Sequence, residues 1–375
     1  MRIAMVGSRG IPAPGGVESV VRALTKHLLA RGHEVIVYGR AHCLVGAPGP
    51  EAGTVILTPG LRGKHAETIT HTATAMWDLL RRKVDVVHVH SPGPALLSWM
   101  PVLAGKPVVF TVHGPDWRGP KWSGSAKSVL GLGLRIGMRT AAAVTAVSKS
   151  LADELSERFG REVTFIPNGA EPVRPEPLER IRRWGLEHEN YALFIGRIEL
   201  GKRLALLLKA WEALASEPGD YKLVVVGDWQ TSPYGRECRR AAGKNVMFLG
   251  MQLGPTLAEL CSHAAVFVQP SVLEGMSMVI LEAAAYGRCI LASDIPENVD
   301  IMDESAVYFT RDDPADLAGK LGQYLRSPGD RQRMGDLARD HVTASFPWAS
   351  SAAGMEKIYR SVLSARRVRA RKERT

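Results

Sequence analysis

The 375-residue sequence predicts an α/β protein built from two doubly wound, Rossmann-like domains, and three observations carry that prediction. Short runs rich in Val, Ile, Phe and Thr alternate with helical stretches along nearly the whole chain, as expected for parallel sheets with helices on both faces. The alternation breaks at Pro167-Asn168-Gly169, and the Pro- and Glu-rich segment from Ala170 to Glu179 reads as a linker. Length and a 45% apolar content suffice for two cores of ordinary size.

Taken in order, RIAMV, EVIVY, TVILT, DVVHVH, PVVFTVH, AVTAV and VTFIP read as the strands of the first domain. Helical stretches such as Val17 to Ala30 and Ala126 to Thr140 separate them. The second set is YALFIG, YKLVVVGD, NVMFLG, AAVFVQPS, CILAS and AVYFT. Phe346-Pro347-Trp348 interrupts the helices that follow. The expected boundaries are therefore 1–170, 171–345, and a terminal helix with a basic tail over 346–375.

Bulk properties narrow the function. No run of 18 apolar residues indicates a membrane span, and MRIAMVGSRG is too short an apolar stretch for a signal peptide. Cys43, Cys238, Cys261 and Cys289 lack metal-ligand spacing, which suits a reducing cytoplasm and argues against a zinc site. The net charge of +10 favours an anionic partner. Nucleic acid is disfavoured, because no helix-turn-helix, zinc-finger or RNA-binding signature accompanies the cations.

The segment EGMSMVILEAAAYGRCILASDIPE, from Glu274, carries the first site. Met278 to Ala285 reads as a short helix, apolar on all sides except at Glu282. A carboxylate there must meet a protein donor or line a cleft where a ligand supplies hydroxyls. Gly275, Met276 and Ser277 form a turn into the helix with Ser277 as N-cap, so backbone N–H groups converge near Glu274. This is a seat for an anionic or polyhydroxyl ligand.

Three further groups stand at strand ends, where open α/β sheets bind ligands. Gly15 and Gly16, in GSRGIPAPGGVES, permit close approach to a phosphate or a sugar, or make a tight turn and nothing more. That loop matches neither G-x-G-x-x-G nor a Walker pattern, which excludes the common dinucleotide and P-loop readings. His113 ends the strand PVVFTVH before Gly114, and His90 ends DVVHVH with His88 packed behind it. Arg197 and Lys202, in GRIELGKRL after Gly196, are placed to clamp a diphosphate, or form a solvated basic face that includes Arg203.

Two glutamates eight positions apart in EGMSMVILE, then A-x-x-x-G and a strand ending in ASD, resemble the E-x7-E segment of family 4 retaining glycosyltransferases. The loop GSRGIPAPGGVES is similar to that of bacterial members acting in surface-polysaccharide assembly. The resemblance implies the GT-B fold, two Rossmann-like domains facing each other across a cleft. It implies that Glu274 contacts sugar hydroxyls of a nucleotide-sugar donor and Glu282 the ribose diol. In the same way it implies that His113 touches the donor sugar, that Arg197 and Lys202 hold the diphosphate, and that Gly15 and Gly16 adjoin the donor and acceptor.

No obligatory metal or other cofactor is implied, and no D-x-D pair stands on a strand-end loop to chelate one. The inventory shows no carboxylate pair for double displacement. The expected chemistry is departure assisted on one face, with the diphosphate oxygen taking the acceptor proton. The expected acceptor is a saccharide, polyprenyl-diphosphate-linked. A nucleotide-sugar 2-epimerase and a non-catalytic nucleotide-sugar-binding protein remain alternatives.

Asp116 to Lys127 interleaves Trp117 and Trp122 with Arg118, Lys121 and Lys127, Trp77 stands beside Arg81, Arg82 and Lys83, and the chain ends RRVRARKERT. Rings with cations suit peripheral association with an anionic membrane surface on the cytoplasmic side. Which nucleotide and which sugar are used is not legible here.

Overall fold

The computed structural model describes residues 1–61, 63, 66–119, 124–214 and 221–372, with side chains of the last helix described to Val368. It divides into two compact units, Met1–Asn168 with Trp348–Thr375, and Gly169–Pro347.

The first unit holds seven strands: β1 (Arg2–Val6), β2 (Glu34–Gly39), β3 (Thr54–Leu57), β4 (Val86–His90), β5 (Val108–Val112), β6 (Ala143–Ala146) and β7 (Thr164–Phe165). They pair in the order β3-β2-β1-β4-β5-β6-β7, every pair parallel. Strands β4 and β5 are buried along their whole length, which is why they read as continuous apolar runs and not as alternating ones. Helix Gly16–Ala30 lays Val20, Val21, Leu24 and Leu28 into the interior at helical spacing. Phe110, Leu134, Met138 and Leu155 fill the core around β5 and β6.

Helix Trp348–Lys372 belongs to this first unit. Its buried stripe, Trp348, Ala352, Met355, Tyr359 and Val362, repeats every three or four residues. An ion pair adds to this apolar seam, since Glu356 accepts a 2.5 Å hydrogen bond from Arg31 Nε.

The second unit holds β8 (Tyr191–Ile195), β9 (Lys222–Val226), β10 (Val246–Gly250), β11 (Val266–Gln269), β12 (Cys289–Ser293) and β13 (Val307–Phe309). Their order is β10-β9-β8-β11-β12-β13, again all parallel. Phe194, Leu207, Trp211, Val225, Leu321 and Leu325 are among its core residues. All thirteen strands fall on the apolar runs read from the sequence.

Each sheet reverses its strand order at one place, between β1 and β4 in the first unit and between β8 and β11 in the second. Loops leaving the carboxyl ends of those strands diverge and leave a crevice for a ligand. One expectation fails here. Helix Met278–Ala285 has the predicted bounds but is not enclosed on all sides: Ile280, Leu281, Ala283, Ala284 and Ala285 are buried, whereas Met278, Val279 and Glu282 are half-buried on one face. Glu282 stands on that open face, one turn in, so its carboxylate is not sunk in an apolar core.

Candidate active site

In the second unit the residues gather at the switch point. The loop after β8 carries Gly196, Arg197 and Lys202, and the loop after β11 carries Glu274. The backbone joins the two loops, Val272 N–H donating to Gly201 C=O at 3.0 Å. Lys202 Nζ donates to Glu274 Oε1 at 2.5 Å, and Gln269 Nε2, from the last residue of β11, donates to the same oxygen at 2.6 Å. Only 14% and 11% of the Lys202 and Glu274 side chains are exposed. Burial alone would push the Glu274 carboxyl up, but the Lys202 ammonium and the surrounding donors hold it below the ordinary range.

The two cations expected at the diphosphate stand in different surroundings. Lys202 is already neutralised by Glu274, while Arg197 is two-thirds exposed and leans 3.3 Å from Glu199. Arg203 turns away to Asp312 at 2.8 Å, from a left-handed backbone with φ of 51°. Of the three cations in the loop, Lys202 alone is fixed beside the loop after β11.

Gly275, Met276 and Ser277 are buried at the start of helix Met278–Ala285. Ser277 occupies the N-cap position, yet its side chain makes no cap hydrogen bond, and its buried Oγ has no partner among the described residues. The capping expectation is therefore corrected: the hydroxyl is a buried polar atom with its hydrogen bonding unspent. Such an atom carries a cost unless something satisfies it.

In the first unit the loop after β1 is organised by a pair that sequence reading passed over. Arg9 Nε donates to Glu18 Oε1 at 3.1 Å, and the Arg9 backbone N–H donates to the same atom at 3.0 Å. Gly15 has φ of 143°, and a Cβ there would lie 2.2 Å from Glu18 Oε2 and 2.5 Å from the Arg9 guanidinium. Those atoms are the tips of flexible side chains that can move aside, so it is the positive φ that calls for glycine at position 15, as in a tight turn. Gly16 differs, with open space where its Cβ would be, and it begins the helix one residue earlier than expected. Gly7, at the end of β1 with φ of 115°, brings the loop against β4, since a Cβ would lie 2.3 Å from the His90 carbonyl oxygen.

His113 follows β5 and is half-buried. Its Nε2 lies 2.9 Å from His90 Nδ1. His88 is fully buried between Tyr359 OH, 2.7 Å from Nδ1, and Thr111 Oγ1, 2.6 Å from Nε2. The His88 and His90 rings are 4.0 Å apart. Burial drives all three imidazoles below their usual range, His113 to about 4 and His88 to about 3. Near neutral pH the cluster is uncharged.

Among the described residues one group brings metal-ligand atoms together: His42, Cys43 and Glu67, within 4.8 Å of one another. Cysteine spacing gave no hint of it because Glu67 comes from a separate helix. The Glu67 carboxylate is already shared by His42 Nε2 at 2.6 Å and the Arg40 guanidinium at 3.3 Å, and a guanidinium beside the site opposes a second cation.

The aromatic-basic stretch after β5 is also changed by folding. Trp117 is half-buried and packs against the first unit's core, and Arg118, half-exposed, pairs with Glu154 at 2.5 and 3.0 Å. Lys121 and Trp122 lie outside the described residues, as do the side chains beyond Val368. Trp77 is 57% exposed, with the Arg81 guanidinium 4.8 Å from its ring.

Residues 14–174 match the family model described as Glycosyltransferase Family 4, and residues 189–327 match Glycosyl transferases group 1. A phosphatidyl-myo-inositol mannosyltransferase of Mycolicibacterium smegmatis is 27% identical, over 97% of this chain and 95% of its own. A glycogen synthase of Mycobacterium tuberculosis is 28% identical, over 96% and 94%. Among solved structures, the sucrose-phosphate synthase from Thermosynechococcus elongatus aligns with a TM-score of 0.80 at 24% identity, covering 97% of this chain and 99% of that one. HepE of Anabaena in complex with UDP and glucose aligns with a TM-score of 0.78 at 16% identity, covering 96% and 100%. These two structures share the fold.

Proposed function

The chain belongs to glycosyltransferase family 4 and is a nucleotide-sugar-dependent glycosyltransferase of the GT-B fold, and from that premise we propose a retaining hexosyl or rhamnosyl transfer to a lipid-linked saccharide in surface-polysaccharide assembly. The observation that carries the reading is the Lys202–Glu274–Gln269 cluster at the β8/β11 switch point. A carboxylate kept ionised there accepts from sugar hydroxyls, and an ammonium kept beside it offsets charge on a departing diphosphate.

In this mechanism the donor lies along Gly196, Gly275, Met276 and Ser277, with Glu282 accepting from the ribose hydroxyls. As the anomeric bond breaks, Lys202 and Arg197 stabilise the negative charge on the leaving group. A diphosphate oxygen takes the acceptor proton on the same face, which retains configuration without a covalent sugar on the protein. In the first unit, taken by itself, His113, Gly15 and Gly16 are the residues offered for sugar contact. The mechanism asks for no metal.

The curated relatives' names point to different acceptors, a phosphatidylinositol in one and glycogen in another, so the lipid reading rests on this chain's own surface. The first unit exposes Trp77, Trp99 and Leu103, the last at 79%. Exposed rings and aliphatic side chains on a basic chain suit the cytoplasmic face of an anionic membrane carrying a polyprenyl diphosphate acceptor.

A thermal-shift panel of UDP-, GDP- and dTDP-sugars, followed by transfer onto lipid-linked saccharides, tests the proposal. One donor class should raise the melting temperature, and the product should carry the donor's anomeric configuration by NMR. Inversion would overturn the retaining mechanism, and interconversion of the nucleotide sugar without acceptor would make the protein an epimerase. Glu282→Ala should weaken nucleotide binding about tenfold at an unchanged melting temperature, as for a lost charged hydrogen bond. Unchanged affinity would remove Glu282 from the ribose contact.

A further inference from the structure

The first unit contains a hydrogen bond whose direction decides what His113 can offer a substrate. His113 Nε2 and His90 Nδ1 are 2.9 Å apart, and both imidazoles are neutral, so one nitrogen donates and the other accepts. His90 is fully buried, and its other nitrogen, Nε2, has no partner among the described residues. Two arrangements are possible. If His113 donates from Nε2, His90 must carry its own proton on the buried, partnerless Nε2. If His90 donates from Nδ1, its Nε2 is a bare lone pair and no N–H is orphaned. Orphaned buried N–H groups are the rarer of the two in folded proteins, and the second arrangement follows.

We propose that His90 is a positioning residue that donates from Nδ1 to His113 Nε2, locking His113 in the tautomer whose only proton is on Nδ1. His113 then presents an N–H donor to its ligand and has no lone pair left facing it. The group it recognises is an oxygen acceptor, such as a sugar hydroxyl oxygen or a phosphate oxygen, and His113 cannot serve as a general base. The surroundings hold this arrangement in place. The His90 ring stacks 5.2 Å from His113 and 4.0 Å from His88. His88 is itself pinned by Tyr359 from the C-terminal helix and by Thr111 of β5. The contacts among Tyr359, His88, Thr111 and Thr145 allow a chain of donors running from Tyr359 to His88, His88 to Thr111 and Thr111 to Thr145.

The tautomer claim stands on the His90–His113 hydrogen bond between neutral rings and on the buried, partnerless Nε2 of His90. Its catalytic consequence rests on the glycosyltransferase reading above, and the experiment separates them. Full-length protein labelled with 15N-histidine, observed near pH 7 without ligand, reports which ring nitrogen of His113 is protonated through two- and three-bond 1H–15N correlations. The Nδ1–H form is expected for His113, and an Nε2–H form overturns the proposal without any variant having to fold. His90→Asn places an amide N–H where His90 Nδ1 stands, while His90→Leu removes the donor at similar volume.

The Asn variant should keep the Nδ1–H form of His113 and stay within a few-fold of wild-type turnover. The Leu variant should lose that form and about 10- to 100-fold in kcat, as a misoriented contact group does, with affinity for the nucleoside diphosphates UDP, GDP and dTDP unchanged. Full turnover in His90→Leu, or equal loss in both variants, overturns the positioning role. A correct tautomer in a protein that transfers no sugar overturns the functional reading and leaves the hydrogen-bond assignment standing.

Discussion

The Lys202–Glu274 pair shows how burial changes the meaning of two charged residues. Read along the chain, Lys202 is a cation for a phosphate and Glu274 an acceptor for sugar. Folded, each is also the condition for the other, because a lone charge on a side chain only 11–14% exposed is costly. Lys202→Met should therefore lower unfolding stability by about 3 kcal/mol along with turnover, since it strands Glu274. Lys202→Met with Glu274→Gln should recover much of the stability in denaturant titration and none of the activity. If the single change costs nothing in stability, the pair is not coupled. Arg197 makes the contrast: exposed and paired with Glu199, it can be removed at little structural cost, so the loss in Arg197→Ala should appear in turnover alone, about 10²-fold for a stabiliser of the leaving group.

Among the elements, the C-terminal helix is tied to the first unit by an apolar stripe and a charge cluster. Glu356 accepts from Arg31 at 2.5 Å and from Arg360 at 2.6 and 2.8 Å, with His33 3.4 Å away. These hydrogen bonds, Arg31 first, hold its carboxyl down to about 2, against an ordinary 4.5. A depressed carboxylate contributes stability that is fully present above the ordinary value and lost as pH falls toward the folded one. The melting temperature of Glu356→Gln should therefore lie below wild type at pH 6–7, and the gap should close between pH 4.5 and 2. A gap constant across that range would mean the glutamate acts by packing and not by charge.

The elements also show where sequence reading stops. All thirteen strands were legible because each is a short apolar run with polar punctuation, a local property. Helix Met278–Ala285 was legible in extent but not in environment, since which of its faces stays open depends on what packs against it. The Arg9–Glu18 pair, the Gln269 donor and the His90–His113 bond were not legible. Each joins residues brought together by folding, and a glutamine ending VFVQ or a histidine ending DVVHVH carries no mark of its partner.

On the scale of the whole molecule, the chain is strongly basic, with a net charge of +10, and the proposed membrane docking would depend on which side chains the folded surface exposes. Trp117 packs against the core and Arg118 pairs with Glu154 at the surface, while Trp77, Trp99 and Leu103 are exposed on the first unit. If the protein docks electrostatically, binding to phosphatidylserine-containing vesicles should fall steeply between about 0.05 and 0.5 M salt, because screening shortens the reach of the surface charge. Truncation after Ala365 should weaken it further, and Trp77→Ser with Trp99→Ser should weaken it at every salt concentration. Vesicle binding that ignores both salt and these changes would place the membrane contact elsewhere.

The sequence by itself determined the two-domain α/β architecture, the strands, the family and the loops that bear the candidate residues, because periodicity, glycine placement and the E-x7-E spacing are written in neighbouring positions. Tertiary structure decided which charges are spent on one another, which aromatic residues face solvent, and that His113 is held by His90. Those outcomes depend on burial and on contacts between residues far apart in the chain, where the energy of a hydrogen bond or ion pair is set by surroundings that no local pattern encodes.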